Sequence, residues 1–242
     1  MKLKSRRRFA IVGALVAVAL WLFLNPESYE KYFVESENAG ADYSAVATSE
    51  ADDNAPLAVE VLERLEVKGR APKTGYARTE FYDGWPSVEG CSLRQRILKR
   101  ELGESAVLDG CTVVAGEFDE PYTGEHQVFR DKTEVSKIQI DHVVALSDAW
   151  QKGAQYMDYE VRNAIATDPL NLLAVDGKAN QQKSDGDAAT WLPSNKKFRC
   201  QYVARQVSVK YKYSLWVTEA EKNAIGEVLK NCPNEPSVGI SL

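Results

Sequence analysis

Two stretches of the sequence decide the fold: KIQIDHVVAL at residues 137–146 and NLLAVDGKANQQKSDGDAATWLP at residues 171–193. The first is apolar and β-branched and alternates at its start, which predicts a β-strand. The second opens with a short strand over residues 171–176 and continues from residue 178 as a helix, which ends by Pro193. Residues 137–193 are therefore predicted to form a strand–strand–helix unit.

Further strand and helix patterns surround this unit. A helix is predicted over residues 92–102, a β-hairpin over residues 111–118 and 126–130, and two helices over residues 196–213 and 218–231. Thr218 and Glu221 have the spacing of a capping box at the start of the last helix. The pattern indicates an α+β fold.

The strand–strand–helix unit contains side chains suited to phosphodiester hydrolysis. Asp141 and His142 end the first predicted strand, and Asn180 opens the helix. Carboxylate and amide oxygens bind hard divalent cations, and a neutral imidazole takes a proton from an attacking water. Neighbouring residues of a regular strand point to opposite faces, so Asp141 and His142 share a site only if the strand bends or bulges.

The same strings resemble the HNH, or ββα-metal, endonuclease signature. DH opens the pattern, Asn171 is its middle asparagine, and NQQKSD (180–185) resembles its final segment, also in the HNH domain of RNA-guided CRISPR nucleases. The stretch through WLPSNKKFRCQYVARQVSVKYKYSLWV (191–217) is similar to exported, stand-alone bacterial relatives of the C-terminal domain of GmrSD-type restriction endonucleases. The resemblance covers about residues 74–232.

The resemblance implies a role for each motif residue. Asp141 and Asn180 would bind the metal, and His142 would be the general base. Asn171 would brace the loop that holds His142, and Lys183 would lie near the scissile phosphate or hold the helix. A centre with one histidine favours Mg²⁺ or Mn²⁺ over zinc, and no organic cofactor is expected. The implied fold is a ββα-metal core at about residues 137–193 with an additional β-hairpin, surrounding helices and two disulfides.

A basic stretch favours a nucleic-acid partner. No acidic residue lies between Asp187 and Glu219, whereas aromatic residues alternate there with lysines and arginines. Such a surface attracts phosphates without regard to base sequence. The predicted contacts are Lys196, Lys197, Arg199, Arg205 and Lys210, together with Arg94 on the earlier helix, which lies in a family-like C-x-x-R segment.

The N-terminal residues predict export. Residues 1–8 carry five positive charges, and residues 9–24 are uncharged and apolar or small, which is typical of a signal peptide or signal anchor. Bulky residues end the apolar run and favour an uncleaved anchor, whereas its short length keeps cleavage open. Residues 25–68 include eleven acidic and three basic residues, a composition that predicts a flexible stalk. Within this stretch, residues 57–67 are a candidate helix that docks on the domain. The folded domain is then assigned to residues 69–242.

An exported domain meets an oxidising compartment, in which paired cysteines form disulfides. Cys91, Cys111, Cys200 and Cys232 allow three pairings, and closeness in sequence favours Cys91–Cys111 and Cys200–Cys232. Structural zinc is the competing interpretation, which the lack of a C-x₂₋₄-C pair disfavours.

These observations predict a metal-dependent endonuclease, anchored to the membrane through the N-terminal segment or secreted, that cuts DNA with low sequence specificity and leaves, as the family implies, a 5′-phosphate. The net charge of −5 excludes a protein that binds nucleic acid over its whole surface. Three alternatives remain: an RNA-cleaving nuclease, a non-catalytic nucleic-acid-binding module, and an envelope interaction protein whose Asp-His pair is incidental.

Overall fold

The computed structural model describes residues 55–240, in which short strands and helices alternate. The strands are β1 (Ser87–Val88), β2 (Cys91–Ser92), β3 (Val107–Asp109), β4 (Thr112–Asp119), β5 (His126–Phe129), β6 (Ile138–His142) and β7 (Leu172–Asp176). The α-helices are α1 (Ala58–Arg64), α2 (Leu93–Leu102), α3 (Lys132–Val135), α4 (Leu146–Gln151), α5 (Tyr159–Thr167), α6 (Gly177–Lys183), α7 (Arg199–Lys212) and α8 (Glu219–Leu229). Five 3₁₀ turns (Arg78–Glu80, Gly103–Ser105, Ala154–Tyr156, Pro169–Asn171 and Lys196–Phe198) complete the described elements. The α+β fold class is confirmed.

The predicted strand–strand–helix unit is present as β6, β7 and α6. The two strands pair antiparallel in unbroken register from Ile138 opposite Asp176 to His142 opposite Leu172. Helix α6 follows directly, and the Asp176 carboxylate caps it by accepting hydrogen bonds from the N–H groups of Lys178 and Ala179. Asp176 is therefore the N-cap, and Asn180 lies inside the helix rather than at its start.

The two faces of the β6–β7 hairpin pack against different layers. Ile138, Ile140, Leu172 and Ala174 belong to the hydrophobic cluster that includes the apolar face of α2, and Leu173 and Val175 belong to the cluster that includes α1, α7 and α8. This division follows from the alternation of side chains along a strand. The hairpin is therefore buried on both sides, and its end is fixed relative to both layers.

Side chains of α2 also hold the backbone of the hairpin. Arg94 donates from Nη2 to the carbonyl of Ile138 at 2.8 Å, and Arg100 donates to the carbonyls of Pro169 and Leu172 at 2.9 and 2.6 Å. Charged donors make strong hydrogen bonds to carbonyl groups. Arg94 thus has a structural partner beside β6, which the sequence did not indicate.

The predicted β-hairpin of residues 111–130 is confirmed, with β3 as a third strand. The order is β3-β4-β5, and Asp119 pairs with His126 at the end of the β4–β5 ladder. The connecting turn contains Glu120, which is fully buried and accepts hydrogen bonds from Tyr122, Thr123 and the N–H of Asp176. Glu120 therefore joins this turn to the end of β7.

The folded region begins earlier than residue 69. Helix α1 lies within the segment predicted to be a flexible stalk, and its Ala58, Val61 and Leu62 are buried against α7 and α8. A backbone hydrogen bond from Ala58 to Glu235 ties it to the C-terminal residues. The docking helix is thus confirmed, and the boundary at residue 69 is wrong because burial of this apolar face draws the preceding residues into the domain. The remaining N-terminal segments, residues 1–54, lie outside the described residues.

Both favoured disulfides are present, Cys91–Cys111 and Cys200–Cys232, and no free cysteine remains in residues 55–240. The first bond joins the start of α2 to the start of β4, and the second joins α7 to the segment after α8. The alternative of a structural zinc site on these cysteines is wrong, because all four sulfurs are bonded in pairs.

A buried ion network joins α4, α7, α8 and the segment after α6. Lys152 contacts carboxylate oxygens of Asp148, Asp187 and Glu221 at 2.6–2.8 Å, and Lys210 contacts Asp148 and Glu221 at 3.0 Å. Thr218 caps α8 as predicted. The Glu221 side chain lies in the ion network, so the reciprocal half of the predicted capping box is absent.

Within residues 55–240, no helix combines the length and the apolar character that a membrane span requires. The apolar segment of residues 9–24 lies outside this range.

Candidate active site

A polar cavity of about 380 Å³ lies where β6 ends beside α6. Its walls come from β6, α6, the start of α4 and the segment before α2. The lining residues are Tyr76, Arg78, Gln139, Ile140, Asp141, His142, Ala145, Leu146, Asn180, Gln181, Ser184 and Asp185. The cavity, called the main cavity below, therefore brings together Asp141, His142 and Asn180, as the sequence predicted.

His142 is fixed as a proton acceptor by its surroundings. Its ring is 4% exposed and lies near-parallel to the Trp85 ring, with centroids 6.0 Å apart. Nε2 lies 2.9 Å from the carbonyl oxygen of Ala166. A carbonyl only accepts hydrogen bonds, so Nε2 carries the proton and Nδ1 holds the free lone pair.

The electrostatics of the site keep this imidazole neutral. Burial lowers the pKa of His142 to about 3; the hydrogen bond to Ala166 opposes this shift, and the nearby charges of Arg78 and Lys183 add to it. The side chain is therefore unprotonated at neutral pH, as a general base must be.

Asp141 is held from behind by two donors. Lys183 Nζ lies 3.0 Å from Oδ1 and 2.9 Å from Oδ2, and the Tyr122 hydroxyl donates to Oδ2. Burial, and then the charge of Asp141, raises the pKa of Tyr122 well above its usual value, so the phenol stays protonated as a donor. The carboxylate is thereby oriented at the wall of the main cavity.

Lys183 has a supporting position. It is 2% exposed, and its Nζ also donates to the carbonyl of His142 at 2.8 Å. One ammonium thus ties α6 to both residues of the Asp-His pair. Of the two predicted roles for Lys183, this position matches holding the helix; a buried ammonium is not free to meet a phosphate.

Asn180 presents an oxygen to the main cavity. Its Nδ2 donates to Gln139 Oε1 at 2.8 Å, which leaves Oδ1 without a partner among the described residues. Asp141 and Asn180 thus supply a carboxylate and an amide oxygen to one polar cavity. This donor chemistry fits a hard divalent cation such as Mg²⁺ or Mn²⁺.

Asn171 is buried away from the cavity wall. Its Oδ1 accepts from the N–H of Val144 at 2.8 Å, and its Nδ2 donates to the carbonyls of Ile165 and Val144 at 3.0 and 3.3 Å. All polar atoms of the amide are occupied by backbone groups next to His142 and to its partner Ala166. Asn171 therefore braces the backbone beside His142, and its amide oxygen is occupied by the N–H of Val144.

Asp141 and His142 both line the main cavity, although the strand that carries them has no bulge. The β6–β7 register is continuous through Asp141 and His142, and the two side chains point to opposite faces, toward Lys183 and toward Ala166. His142 is the last residue of β6, and the main cavity reaches around this end. The strand therefore has no bulge, and the cavity lies at the strand terminus.

The residues predicted to contact nucleic acid differ in how deeply they are buried. Lys196 and Lys197 are exposed on the turn before α7, and Arg199 is half-buried and donates to the carbonyl of Pro193. Arg205 has a buried Nε, and burial lowers the pKa of this arginine to about 10. Lys210 is fully buried in the ion network, so its predicted contact with nucleic acid is wrong: helix periodicity turns it inward.

Asp185, Tyr76 and Arg78 are among the lining residues that the sequence reasoning missed. Asp185 stands in the quoted NQQKSD segment and pairs with Lys73 at 2.7 Å at the edge of the main cavity. Tyr76 and Arg78 come from an irregular stretch rich in glycine, proline and aromatic residues, which carries no periodicity. Only the three-dimensional fold places that stretch against β6.

One other group among the described residues has the spacing of metal ligands: Cys200, Cys232 and Glu235. The two sulfurs form a disulfide and carry no thiolate, which is the form that binds metals.

Comparisons with known proteins identify the family of this chain. The family of GmrSD restriction endonucleases, C-terminal domain, matches residues 97–228, more than half of the chain. An uncharacterized secreted protein of Arthroderma benhamiae is 35% identical over 183 residues, which cover 74% of this chain and 86% of that protein. No solved structure matches the chain. The chain therefore belongs to the family of the GmrSD restriction endonuclease C-terminal domain.

Proposed function

We propose that this protein is a metal-dependent HNH endonuclease that acts outside the cytoplasm and hydrolyses phosphodiester bonds in DNA with low sequence specificity. One observation carries the proposal: Asp141, His142 and Asn180 line the same polar cavity, with His142 Nδ1 free to accept a proton. The family membership supports a nuclease-type activity, and the β6–β7–α6 unit matches the strand–strand–helix order of a ββα-metal core.

In the proposed reaction, a water molecule attacks the scissile phosphorus and gives its proton to Nδ1 of His142. The P–O3′ bond breaks, and the O3′ oxygen takes a proton from solvent, which leaves a 5′-phosphate and a 3′-hydroxyl. The hydrogen bond from Nε2 to Ala166 keeps the imidazole in the tautomer that the first step needs. Asn171 fixes the backbone on both sides of this arrangement.

Asp141 and Asn180 are the residues that would hold the metal. A divalent cation bound there supplies stabilisation of the negative charge that develops on the leaving oxygen. Lys183 and Tyr122 orient Asp141 for this role. Asp141 also lines the main cavity, and a carboxylate has lone pairs beyond those that accept these hydrogen bonds.

The proposed location outside the cytoplasm has two supports. The relative from Arthroderma benhamiae is described as secreted, and both disulfides of this chain require an oxidising compartment to form and persist. The basic and apolar residues 1–24 would provide the export signal, as a cleaved peptide or as a retained anchor.

A plasmid-nicking assay tests the activity. The purified, oxidised full-length chain is incubated with supercoiled plasmid in EDTA, Mg²⁺, Mn²⁺ or Zn²⁺. His142→Ala is compared with His126→Ala, since the chain has two histidines and His126 is exposed on β5, outside the main cavity. We expect cleavage in Mg²⁺ or Mn²⁺, a loss of several orders of magnitude in His142→Ala, and wild-type rates in His126→Ala.

Either of two results would overturn the proposal. Equal cleavage by wild type and His142→Ala would remove His142 as the base. Absence of cleavage by folded wild-type protein in every metal would refute the DNase activity, and the same assay on single-stranded RNA then decides between an RNA-cleaving nuclease and a non-catalytic binding module.

A further inference from the structure

Arg78 is a cation without a carboxylate partner at the wall of the main cavity. It opens the 3₁₀ turn Arg78–Glu80 and is exposed. Its Nε donates to the Tyr82 hydroxyl at 3.0 Å, and its Nη2 donates to the same oxygen. Among the described residues no carboxylate pairs with the guanidinium, which lies over the Tyr82 ring at 5.2 Å from its centroid. The guanidinium is thus held in place by a neutral group and remains available to an anion.

The segment that carries Arg78 is held against the domain by hydrogen bonds from α5. Arg162 donates to the carbonyl of Glu80 at 2.7 Å, and Asn163 donates to the carbonyl of Phe81 at 3.1 Å. Phe81 is fully buried. Helix α5 therefore fixes the turn on the protein side, and Arg78 does not depend on a mobile loop for its position.

A second cavity of about 280 Å³ adjoins the first and shares Arg78 with it. It is called the side cavity below. The remaining lining residues are Thr79, Tyr82, Asp83, Gly84 and Trp85. The Tyr82 and Trp85 rings lie 5.4 Å apart, and each is about 6 Å from the His142 ring.

The side cavity offers contacts to a base or a sugar at one end and to a phosphate at the other. Trp85 is half-buried and offers part of its ring to a flat base, whereas Tyr82 is buried and lies beneath the Arg78 guanidinium. A carboxylate such as Asp83 accepts hydrogen bonds from a sugar or a base but repels a phosphate. Arg78 stands at the boundary with the main cavity and attracts a phosphate. The volume lies just below the range of about 300–1,000 Å³ of typical ligand pockets, so a single nucleoside is the part of a nucleic acid that we assign to it.

We propose that Arg78 binds the phosphate of the nucleic-acid substrate, and that the side cavity binds one unpaired nucleoside attached to that phosphate. This inference rests on the proposed nuclease function and names its substrate class: strands whose nucleotide beside the cut is single or splayed out. The nucleoside lies on the Tyr82–Trp85 side, and the phosphate lies between Arg78 and His142.

Calorimetric binding of thymidine 3′,5′-bisphosphate in EDTA tests the inference without any cleavage. The full-length wild type is compared with Arg78→Gln, Arg78→Lys and Arg64→Gln; Arg64 is an exposed arginine on α1, outside both cavities. The same bisphosphate on an abasic tetrahydrofuran sugar measures the contribution of the base. Thermal unfolding checks that each variant is folded.

We expect Arg78→Gln to weaken binding about tenfold or more, because it removes charge-assisted hydrogen bonds to phosphate. Arg78→Lys should recover part of the affinity, since lysine keeps the charge but loses the planar fork, and Arg64→Gln should bind as the wild type does. The abasic ligand should bind the wild type about tenfold more weakly, since base stacking is lost.

Several results would overturn the inference. Equal affinity of wild type and Arg78→Gln would remove Arg78 as the phosphate ligand, and equal affinity for the two bisphosphates would remove the nucleoside site. If these binding results hold but the wild type cleaves no nucleic acid, the proposed function fails and the binding site stands. If His142-dependent cleavage is present but Arg78→Gln binds normally, the nuclease stands and this inference fails.

Discussion

The variants Asn171→Ala and Asn180→Ala should have different defects, because the first amide is proposed to brace the backbone and the second to bind the metal. Alanine at position 171 leaves the buried N–H of Val144 without an acceptor, and the carbonyls of Val144 and Ile165 without a donor. An unsatisfied buried donor costs about 1–3 kcal/mol, and carbonyl groups tolerate the loss better. We therefore expect the free energy of unfolding to fall by about 2–4 kcal/mol in Asn171→Ala.

Asn180→Ala should behave in the opposite way. Its side chain is half-buried and makes one hydrogen bond, to Gln139, so the loss of stability should be about 0.5–1.5 kcal/mol. Its activity should drop sharply at limiting metal because an oxygen donor is missing from the cavity. Excess Mn²⁺ should restore part of that activity by mass action.

The measurement combines urea unfolding of the oxidised proteins, followed by tryptophan fluorescence, with cleavage rates across a Mn²⁺ titration. Activity of Asn171→Ala should not respond to added metal, because its defect lies in the position of His142. The reasoning is refuted if Asn171→Ala is as stable as the wild type, or if Mn²⁺ restores its activity while leaving Asn180→Ala unchanged.

Three further predictions follow from buried groups and cross-links. The pKa of His142 is lowered to about 3, so between pH 6.5 and 3 the unfolded chain binds a proton that the folded chain does not. The free energy of unfolding in EDTA should therefore fall by about 1.4 kcal/mol per pH unit below 6.5, relative to that of His142→Ala. Parallel stability curves for the two proteins would contradict this. For the same reason, the cleavage rate should show no loss centred near pH 6.5. Lys152→Met removes a fully buried ammonium from three carboxylates and should lower the free energy of unfolding by about 3–5 kcal/mol. Lys212→Met removes a partly exposed pair with Asp168 and should lower it by less than about 1 kcal/mol. Equal effects in urea unfolding would refute the distinction. Reduction of both disulfides should destabilise the domain by roughly 3–4 kcal/mol for each closed loop, and an unchanged melting temperature in reductant would show that the cross-links carry no stability.

The elements of the site could be predicted from the sequence because their signals are local. The alternation in KIQI, the apolar run before Gly177 and the periodicity of residues 92–102 each depend on neighbours within a few residues. Cysteine pairing followed from short separations. The Asp-His pair and Asn180 share one cavity because α6 begins beside Ile138, at the start of β6, and runs back along the hairpin until Lys183 contacts Asp141. The strand and helix signals predicted the elements, but this direction of the helix depends on tertiary packing.

What the sequence could not show depends on tertiary packing. Lys210 and Glu221 are typical surface residue types, and they are buried only because each neutralises the other within a network of four elements. Arg78 lies in a stretch without periodicity, so nothing local indicates that it reaches β6. The docking of α1 was visible as an amphipathic pattern, but the position of its partner surface was not.

The arrangement at the end of β6 explains how two adjacent residues are controlled independently. Asp141 is oriented by Lys183 and Tyr122 on one face of the hairpin, and His142 is oriented by Ala166 and Trp85 on the other. Because these partners belong to separate packed layers, we expect a substitution in one layer to displace the proposed metal-binding carboxylate or the proposed general base, but not both. Lys183 is the exception, since it also donates to the carbonyl of His142; its removal should therefore affect metal affinity and the rate at saturating metal together, whereas Tyr122→Phe should affect metal affinity alone.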